Sequence, residues 1–287
     1  GAAAHVARGL TSLQHNVSIF GVVGDDEAGA DVIDALEEAG IKSDGVAVLE
    51  NWRTTVKTRF IASRESLIAN KQMMLRVDEE EPGDVSVEVA ELLANQASEL
   101  LSKAGALVIS DYGKGVVNDE TAKSLIEQAK AASVPVICDP KLTGLHRTKD
   151  ADVVIFESRG LELMRRRLSK STEEEAAWEL VEEHGWDSLL VLGGQNGVDL
   201  YKSGQEHTHV SCTLLEPRQQ IGLIDAAVVA VVAARALSLS DLDMAHLANA
   251  ACECILQAED AAHFAIDRKT LCTRLDEVAW SMQISQR

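Results

Sequence analysis

Short apolar runs alternate with helical-period segments along most of this chain. NVSIFGVVG (16–24) reads as a strand, and DDEAGADVIDALEEAG (25–40) as a helix stopping at Gly40. ALVISDYGKG (106–115) is an apolar strand running into a turn. NDETAKSLIEQAKAAS (118–133) follows, with Asn118 placed to cap a helix that carries one apolar face. VPVICD (134–139), DVVIF (152–156) and SLLVLGG (188–194) are three more buried strands with helices between them. Such alternation makes a mostly parallel sheet covered by helices on both faces. The expected fold is therefore a three-layer α/β/α sandwich with ligand sites at the carboxyl ends of its strands.

One region departs from the pattern. TTVKTRFIASRESLIANKQMMLRVDEE (54–80) reads as antiparallel strand material with polar turns, a small β-lid beside the sheet. No repeat or low-complexity linker divides residues 1–287, so one domain is expected. The chain opens at GAAAHVARGL, already helical, which suggests that a first strand is missing upstream. EEEPGDVS (79–86) and STEEEAAWELVEEHG (171–185) read as solvated acidic faces.

Composition narrows the partners. Of 287 residues 46% are hydrophobic but only 3% aromatic, so the core must be built from Ala, Val, Leu and Ile. A net charge of −19 argues against nucleic acid or an anionic membrane as partner, since both need basic patches. Cys138, Cys212, Cys252, Cys254 and Cys272 show no metal-ligand spacing, and their odd number fits a reducing, cytoplasmic setting. Cys252 and Cys254 lie two apart in a helical segment, where side chains point to different faces. No apolar run reaches the ~18 residues of a membrane span.

The candidate chemistry lies after the strands. Asp111, Lys114, Asp139 and Lys141 follow two buried strands in SDYGKG and CDPK and are placed over one crevice. Gly193, Gly194 and Gly197 suit a tight connection. QQIGLIDAAVVAVVAARAL (219–237) reads as a turn feeding a buried helix, with Asp225 at the helix mouth, where free N–H groups favour an anion. An Asp at a helix start is equally favoured as a cap.

These motifs, in this order, resemble the ribokinase-like (PfkB) carbohydrate kinases over essentially the whole chain. Most similar are the kinase halves of bifunctional heptose-phosphate kinase/ADP-heptose synthases. GAAAHVARGLTSLQHNV resembles the family's opening GGAANVA-type helix. TVKTRF with QMMLRVDEE resembles its lid strands, and VISDYGKGVV with VPVICDPK its central motifs. QQIGLID falls where the family carries D-x-T-G-A-G-D, and HLANAACECI where it carries an Ala-Asn-Ala helix.

The resemblance implies ATP and Mg²⁺ as cofactors and a phosphorylated sugar as substrate, with Asp225 as general base and Gly222 in the anion hole. Lys141, Asp139, Gly194, Gly197 and Asn249 fall on the nucleotide side. Gly1, His5, Asp111, Lys114 and Arg76 fall on the sugar side. A homodimer through the lid strands is also implied.

Several positions depart from the family. Gln219 stands for the opening Asp of the motif and Ile221 for its Thr. Ile224 replaces the second glycine, with a β-branched side chain that disfavours positive φ and crowds a phosphate. Glu157–Ser158–Arg159–Gly160 aligns with N-x-x-E but keeps neither key residue, leaving Glu162 as the nearby metal candidate. His5 stands for a sugar-contacting Asn, and His263 lies near the expected adenine side. Two readings stay open: a sugar kinase with impaired activity, or an inactive pseudokinase that serves as a binding or scaffold module.

Overall fold

The computed structural model describes residues 1–62, 72–213, 217–218, 220–258 and 266–285. Gln219 and His263 therefore lie outside the described residues.

The expected strands form the centre of the fold. Strands β5 (Leu107–Asp111), β6 (Val136–Pro140), β7 (Val153–Glu157) and β8 (Ser188–Leu192) run parallel, and β9 (Val198–Lys202) and β10 (Thr208–Val210) extend the sheet antiparallel beyond β8. Alternate side chains along each strand enter different cores, as the period of two requires. Ile137, Val153, Ile155, Leu190 and Leu192 face one layer. Val136, Cys138, Val154, Phe156, Leu189 and Val191 face the other.

The first layer holds α1 (Ala2–Ser12), α7 (Leu223–Ala236), α8 (Asp241–Gln257) and α9 (Arg268–Ser285). The second holds α3 (Val87–Leu100), α4 (Asp119–Ala131), α5 (Ser158–Arg167) and α6 (Glu173–His184). The molecule is the three-layer α/β/α sandwich that the alternation implied.

Smaller elements complete it. β1 (Ser18–Gly24) and β2 (Lys42–Leu49) form a parallel pair bridged by α2 (Glu27–Glu38), separate from the six-stranded sheet by hydrogen bonding. The residues 42–49 carry Lys42, Ser43, Asp44 and Gly45, which hide a strand from an apolar-run reading. The lid is an antiparallel pair, β3 (Val56–Ala62) and β4 (Gln72–Glu79), inside the expected 54–80. Asn118 caps α4 through a reciprocal capping box with Thr121. Cys252 Sγ points to the Leu223 carbonyl and Cys254 Sγ to that of Thr270, so the two thiols do face different helices. None of the described helices is long and apolar enough to cross a membrane.

One contact sets the geometry of the site. At Gly9 on α1, a Cβ would lie 2.7 Å from Cγ2 of the buried Val229 on α7, closer than carbon atoms pack. Gly9 therefore permits α1 to lie against α7. Gly9→Ala gains up to ~1 kcal/mol of helix propensity but overpacks a buried contact, which typically costs ~1–3 kcal/mol. The expected net is a loss of roughly 1 kcal/mol, read as a Tm about 2–4 °C lower by calorimetry. An unchanged or raised Tm would mean that α1 shifts outward without strain.

Candidate active site

The turn before α7 holds the central group. Gly222 adopts φ +92°, a left-handed conformation that favours glycine, and α7 begins at the next residue with no side-chain cap on its N–H groups. Asp225 lies in the first helical turn. Its Oδ2 is 2.8 Å from Nδ1 of His5, on α1, so the carboxylate engages a histidine 220 residues away in sequence rather than capping its own helix. The pair is partly exposed, at 22% for the His5 side chain and 16% for Asp225. Beneath it lies a cavity of about 10 Å³, room for roughly one water, lined by Gly9, Ala226, Val229, Ile255 and Ile266. Gly1 precedes His5 by one helical turn, and its carbonyl accepts the His5 N–H at 3.0 Å.

The expectation that Ile224 spoils the turn needs correction. The positive φ falls on Gly222, which the chain keeps, whereas Ile224 is inside α7 and has no positive φ. Its side chain packs against the core formed by α1, α7 and α8. Ile221, one residue before the turn glycine, is the exposed departure.

Acids converge at the strand ends. Asp111 closes β5, Asp139 lies near the end of β6, and Glu157 closes β7. Asp111 is buried and fully partnered: Arg147 Nη1 donates to its Oδ2 at 3.0 Å and the Gly113 N–H to its Oδ1 at 2.8 Å. Asp139 is 3% exposed, and neither carboxylate oxygen has a hydrogen-bond partner among the described residues. Burial pushes its pKa up to about 7; Asp225 and Asp111 add to the rise, and the hydroxyl of Ser110, its neighbour in the β5–β6 register, partly offsets it. Tyr112 feels the same field, its phenol raised first by burial and then by Asp139, Asp225 and Glu157. Lys141 lies on the rim, Nζ 6.0 Å from the Tyr112 ring centre. Lys114 reaches Glu80 at 2.9 Å, tying the loop after β5 to the foot of the lid.

The other expected site residues have different placements. Arg76, on the lid, pairs with Asp78 at 2.7 Å. Gly194 faces Gln220, just before the turn, with 3.7 Å between an added Cβ and Gln220 Nε2. Gly197 adopts φ +90°, and a Cβ there would strike the Val210 carbonyl at 2.0 Å, so the β8–β9 connection needs glycine for backbone reasons.

Asn249 is buried, donating to the Ser211 carbonyl and to Glu253, 3.3 Å each. Glu253 is fully buried and also accepts from Thr213 N–H and Arg274 Nε. Sequence reading misses this network, although a Glu inside an Ala- and Cys-rich buried helix is its signal.

Glu162 is held by Arg165 (2.6 and 2.9 Å) and Arg166 (2.7 Å), which keep its pKa low, about 2. Two guanidiniums already neutralise the carboxylate expected for the metal. Among the described residues no group of three His, Cys, Asp or Glu is disposed to hold a metal by itself. Mg²⁺ on a phosphate chain needs only one or two carboxylates. Glu157, exposed at the end of β7, fits that role better than Glu162.

The model of the pfkB family of carbohydrate kinases matches residues 1–268. The bifunctional protein HldE of Paramagnetospirillum magneticum is 34% identical over 253 residues, covering 88% of this chain and 50% of that protein. HldE of Haemophilus influenzae is 32% identical over 254 residues, with 88% and 50% covered. The chain thus spans about half the length of the curated relatives it matches.

Among solved structures, a mutant of Escherichia coli phosphofructokinase-2 superposes with TM-score 0.76 at 18% identity, covering 97% of this chain and 87% of that one. Arabidopsis thaliana ribokinase complexed with ribose and ATP gives 0.72 at 20%, covering 96% and 86%. At these identities the structures establish the shared fold.

Asp139 generates a pH prediction. Its folded pKa, about 7, lies above the ~4 of an unfolded Asp, so the folded chain binds more protons between those values. Stability is fully present below about pH 4 and falls as pH rises through 7. The near-isosteric Asp139→Asn removes that titration. It should flatten the decline, with a gain on the order of 4 kcal/mol at pH 8 and none at pH 4, read from urea melts. Parallel curves for both proteins would show that Asp139 is ionised in the fold.

Proposed function

We propose, for a chain that belongs to the pfkB family of carbohydrate kinases, transfer of the ATP γ-phosphoryl group to a hydroxyl of a phosphorylated, heptose-like sugar, at a reduced rate. The observation that carries this reading is the turn from Gly222 to Asp225. A positive-φ glycine, uncapped N–H groups of α7 and a carboxylate in the first turn face the strand ends together. Such N–H groups stabilise the charge that develops on a transferred phosphoryl group, and proton removal from the attacking hydroxyl depends on Asp225.

Lys114 and Lys141 supply positive charge on the rim of an otherwise acidic site. Mg²⁺, when bound, would neutralise phosphate charge, with Glu157 as its protein carboxylate. Ribose and ATP in the ribokinase complex, and fructose-6-phosphate in a phosphofructokinase-2 complex, support the ligand class. The reduced rate follows from the departures at Ile221 and His5 and from Glu162 being held by arginines. Five cysteines, an odd number without metal-ligand spacing, support a cytoplasmic setting.

A second reading, a binding or scaffold module without turnover, is favoured by one observation. Asn249, expected beside the nucleotide, commits its amide to Ser211 and Glu253.

The lid supports a homodimer. Phe60, Ile61, Met73, Met74 and Leu75 are all exposed on a two-stranded sheet, an element that is marginal alone. Pairing with the lid of a second copy would cover them.

Calorimetric titration of Mg-ATP, followed by phosphoryl-transfer assays on heptose and hexose phosphates, tests the main reading. Micromolar binding with slow turnover is expected; no heat at millimolar nucleotide would sink it. Sedimentation at micromolar protein should show a dimer that Phe60→Lys converts to monomer. A monomeric wild type would rule the lid interface out.

A further inference from the structure

We propose that Tyr112 is the platform on which the ring of the sugar phosphate stacks, so that its attacking hydroxyl is presented to Asp225. This rests on the kinase reading and adds a specificity residue to it. Aromatic side chains are scarce here, at 3% of the chain. Phe156, Trp186 and Tyr201 are buried, and Phe20, Trp52 and Trp178 are half-buried. Among the described residues the exposed aromatics are Phe60 on the lid and Tyr112, the latter at 42%. Tyr112 follows directly on the end of β5, at the mouth of the cleft.

Its backbone is fixed on both sides. The Asp111 carbonyl accepts the Lys141 N–H at 3.0 Å, and Asp111 Oδ1 accepts the Gly113 N–H at 2.8 Å. Arg147 holds the other Asp111 oxygen at 3.0 Å. Two residues beyond Tyr112, the Lys114 carbonyl accepts the Val85 N–H at 3.2 Å, and Lys114 Nζ pairs with Glu80 at 2.9 Å. An exposed ring on a backbone held this firmly has little freedom left to lose when a ligand docks.

The surroundings of the ring suit a sugar. Lys141 stands over one face, with Nζ 6.0 Å from the ring centre, and no other ring or cation stacks on Tyr112 among the described residues. Asp139 on β6, Asp225 on α7 and Glu157 on β7 all act on the phenol, so the ring lies among the ends of those elements. A sugar ring is amphipathic in a matching way, with C–H groups on its faces and hydroxyls around its rim. The C–H face packs on an aromatic face, whose π cloud is negative, and the hydroxyls donate to carboxylates. Adenine stacks on such rings too, but most of its polar edge accepts hydrogen bonds, and ionised carboxylates offer it no donors. Stacking sets the height of the sugar above the sheet and leaves its rim free to turn a hydroxyl toward Asp225. Orientation is the contribution of Tyr112, and proton removal stays with Asp225.

Nuclear magnetic resonance on the full chain reads stacking without turnover. Glucose-6-phosphate, mannose-6-phosphate, fructose-6-phosphate and sedoheptulose-7-phosphate serve as probes, titrated in the presence of Mg-ADP. The ring C–H protons of a bound probe should shift upfield, the signature of lying over an aromatic face. Tyr112→Phe keeps the ring and should keep both the shift and the affinity. Tyr112→Leu should abolish the shift and weaken probe binding about 3- to 10-fold, the scale of one aromatic contact. Its affinity for Mg-ATP by calorimetry should stay within about twofold of wild type, and its Tm within about 2 °C, as for a surface substitution.

A probe that binds wild type with unshifted ring protons overturns the proposal. So does a Tyr112→Leu that binds the probe as tightly as wild type. A Tyr112→Phe that loses as much as Tyr112→Leu assigns the effect to the phenol O–H, and stacking falls. A greater loss for Mg-ATP than for the sugar probe puts adenine on the ring and has the same consequence. Should Tyr112→Leu fail to fold, the wild-type shift still decides. A wild type that binds Mg-ATP but none of the four probes defeats the sugar-phosphate kinase reading itself, and the stacking role with it.

Discussion

The close approach of α1 to α7 is the constraint on which the site depends. Helix α7 is an Ala and Val rod with all but a few residues buried, packed between the sheet, α1 and α8. Short side chains on such a helix leave little distance for a neighbour to move through, and interiors packed at crystal-like density hold that distance fixed. Gly9 removes the last obstacle to α1. Asp225 and His5, each at the N-terminal end of its helix, are then brought within hydrogen-bond reach by core packing that involves neither of them. The low aromatic content has the same origin, since bulky rings would have kept these layers apart.

A strongly acidic chain that gathers carboxylates at one sheet edge must deal with their repulsion, and here each acid is handled differently. Asp111 has a guanidinium, Arg147, which also spans Asp119 at 2.7 Å. Asp139 has no hydrogen-bond partner among the described residues, and burial raises its pKa to about 7, so it carries less than a full charge near neutrality. Asp225 has an imidazole. Glu157 remains in solvent, where repulsion is screened. Only the last two keep a titrating or charged group accessible to a ligand. Under the proposed kinase reading, proton removal therefore falls to Asp225 and cation contact to Glu157. Asp111 and Asp139, expected as ligand contacts from their motifs, are both buried at the strand ends.

The sheet was legible because its strands are fully apolar runs: VPVICD, DVVIF and SLLVL can hardly be anything else when helical segments separate them. Strand β2 was not, because KSDG opens it and polar residues at a sheet margin carry no such signal. For the site, local motifs pointed to residues but not to their partners. Glu162 reads as an available carboxylate until Arg165 and Arg166 are seen to close on it, and Asn249 reads as a pocket residue until Glu253 claims its amide. Ile224 reads as an intruder only against a positive φ that belongs to Gly222. The pairing of His5 with Asp225 joins residues 220 positions apart, and no local pattern announces it.

How far the turn has decayed is a question of backbone more than of side chains. An anion hole is made of N–H groups held in one arrangement, so what matters is whether something still fixes that arrangement. Gly222 supplies the left-handed residue, and α7 supplies a rigid axis. Ahead of the turn, the Arg218 N–H donates to the Leu256 carbonyl at 2.8 Å, and Thr213 is held by Glu253 through its N–H and hydroxyl and by Arg274 through its hydroxyl, in a network where Glu253 is fully buried. Removing one partner from a buried ion pair typically costs ~3–5 kcal/mol, so a clamp of this kind holds its geometry firmly. Under the kinase reading proposed above, a turn held in this way keeps its donors despite Ile221 and Ile224. The substitutions then act mainly on what can approach the donors, through Ile221 in front and His5 above. Within the proposed kinase reading, altered approach to such a frame slows transfer or shifts its selectivity.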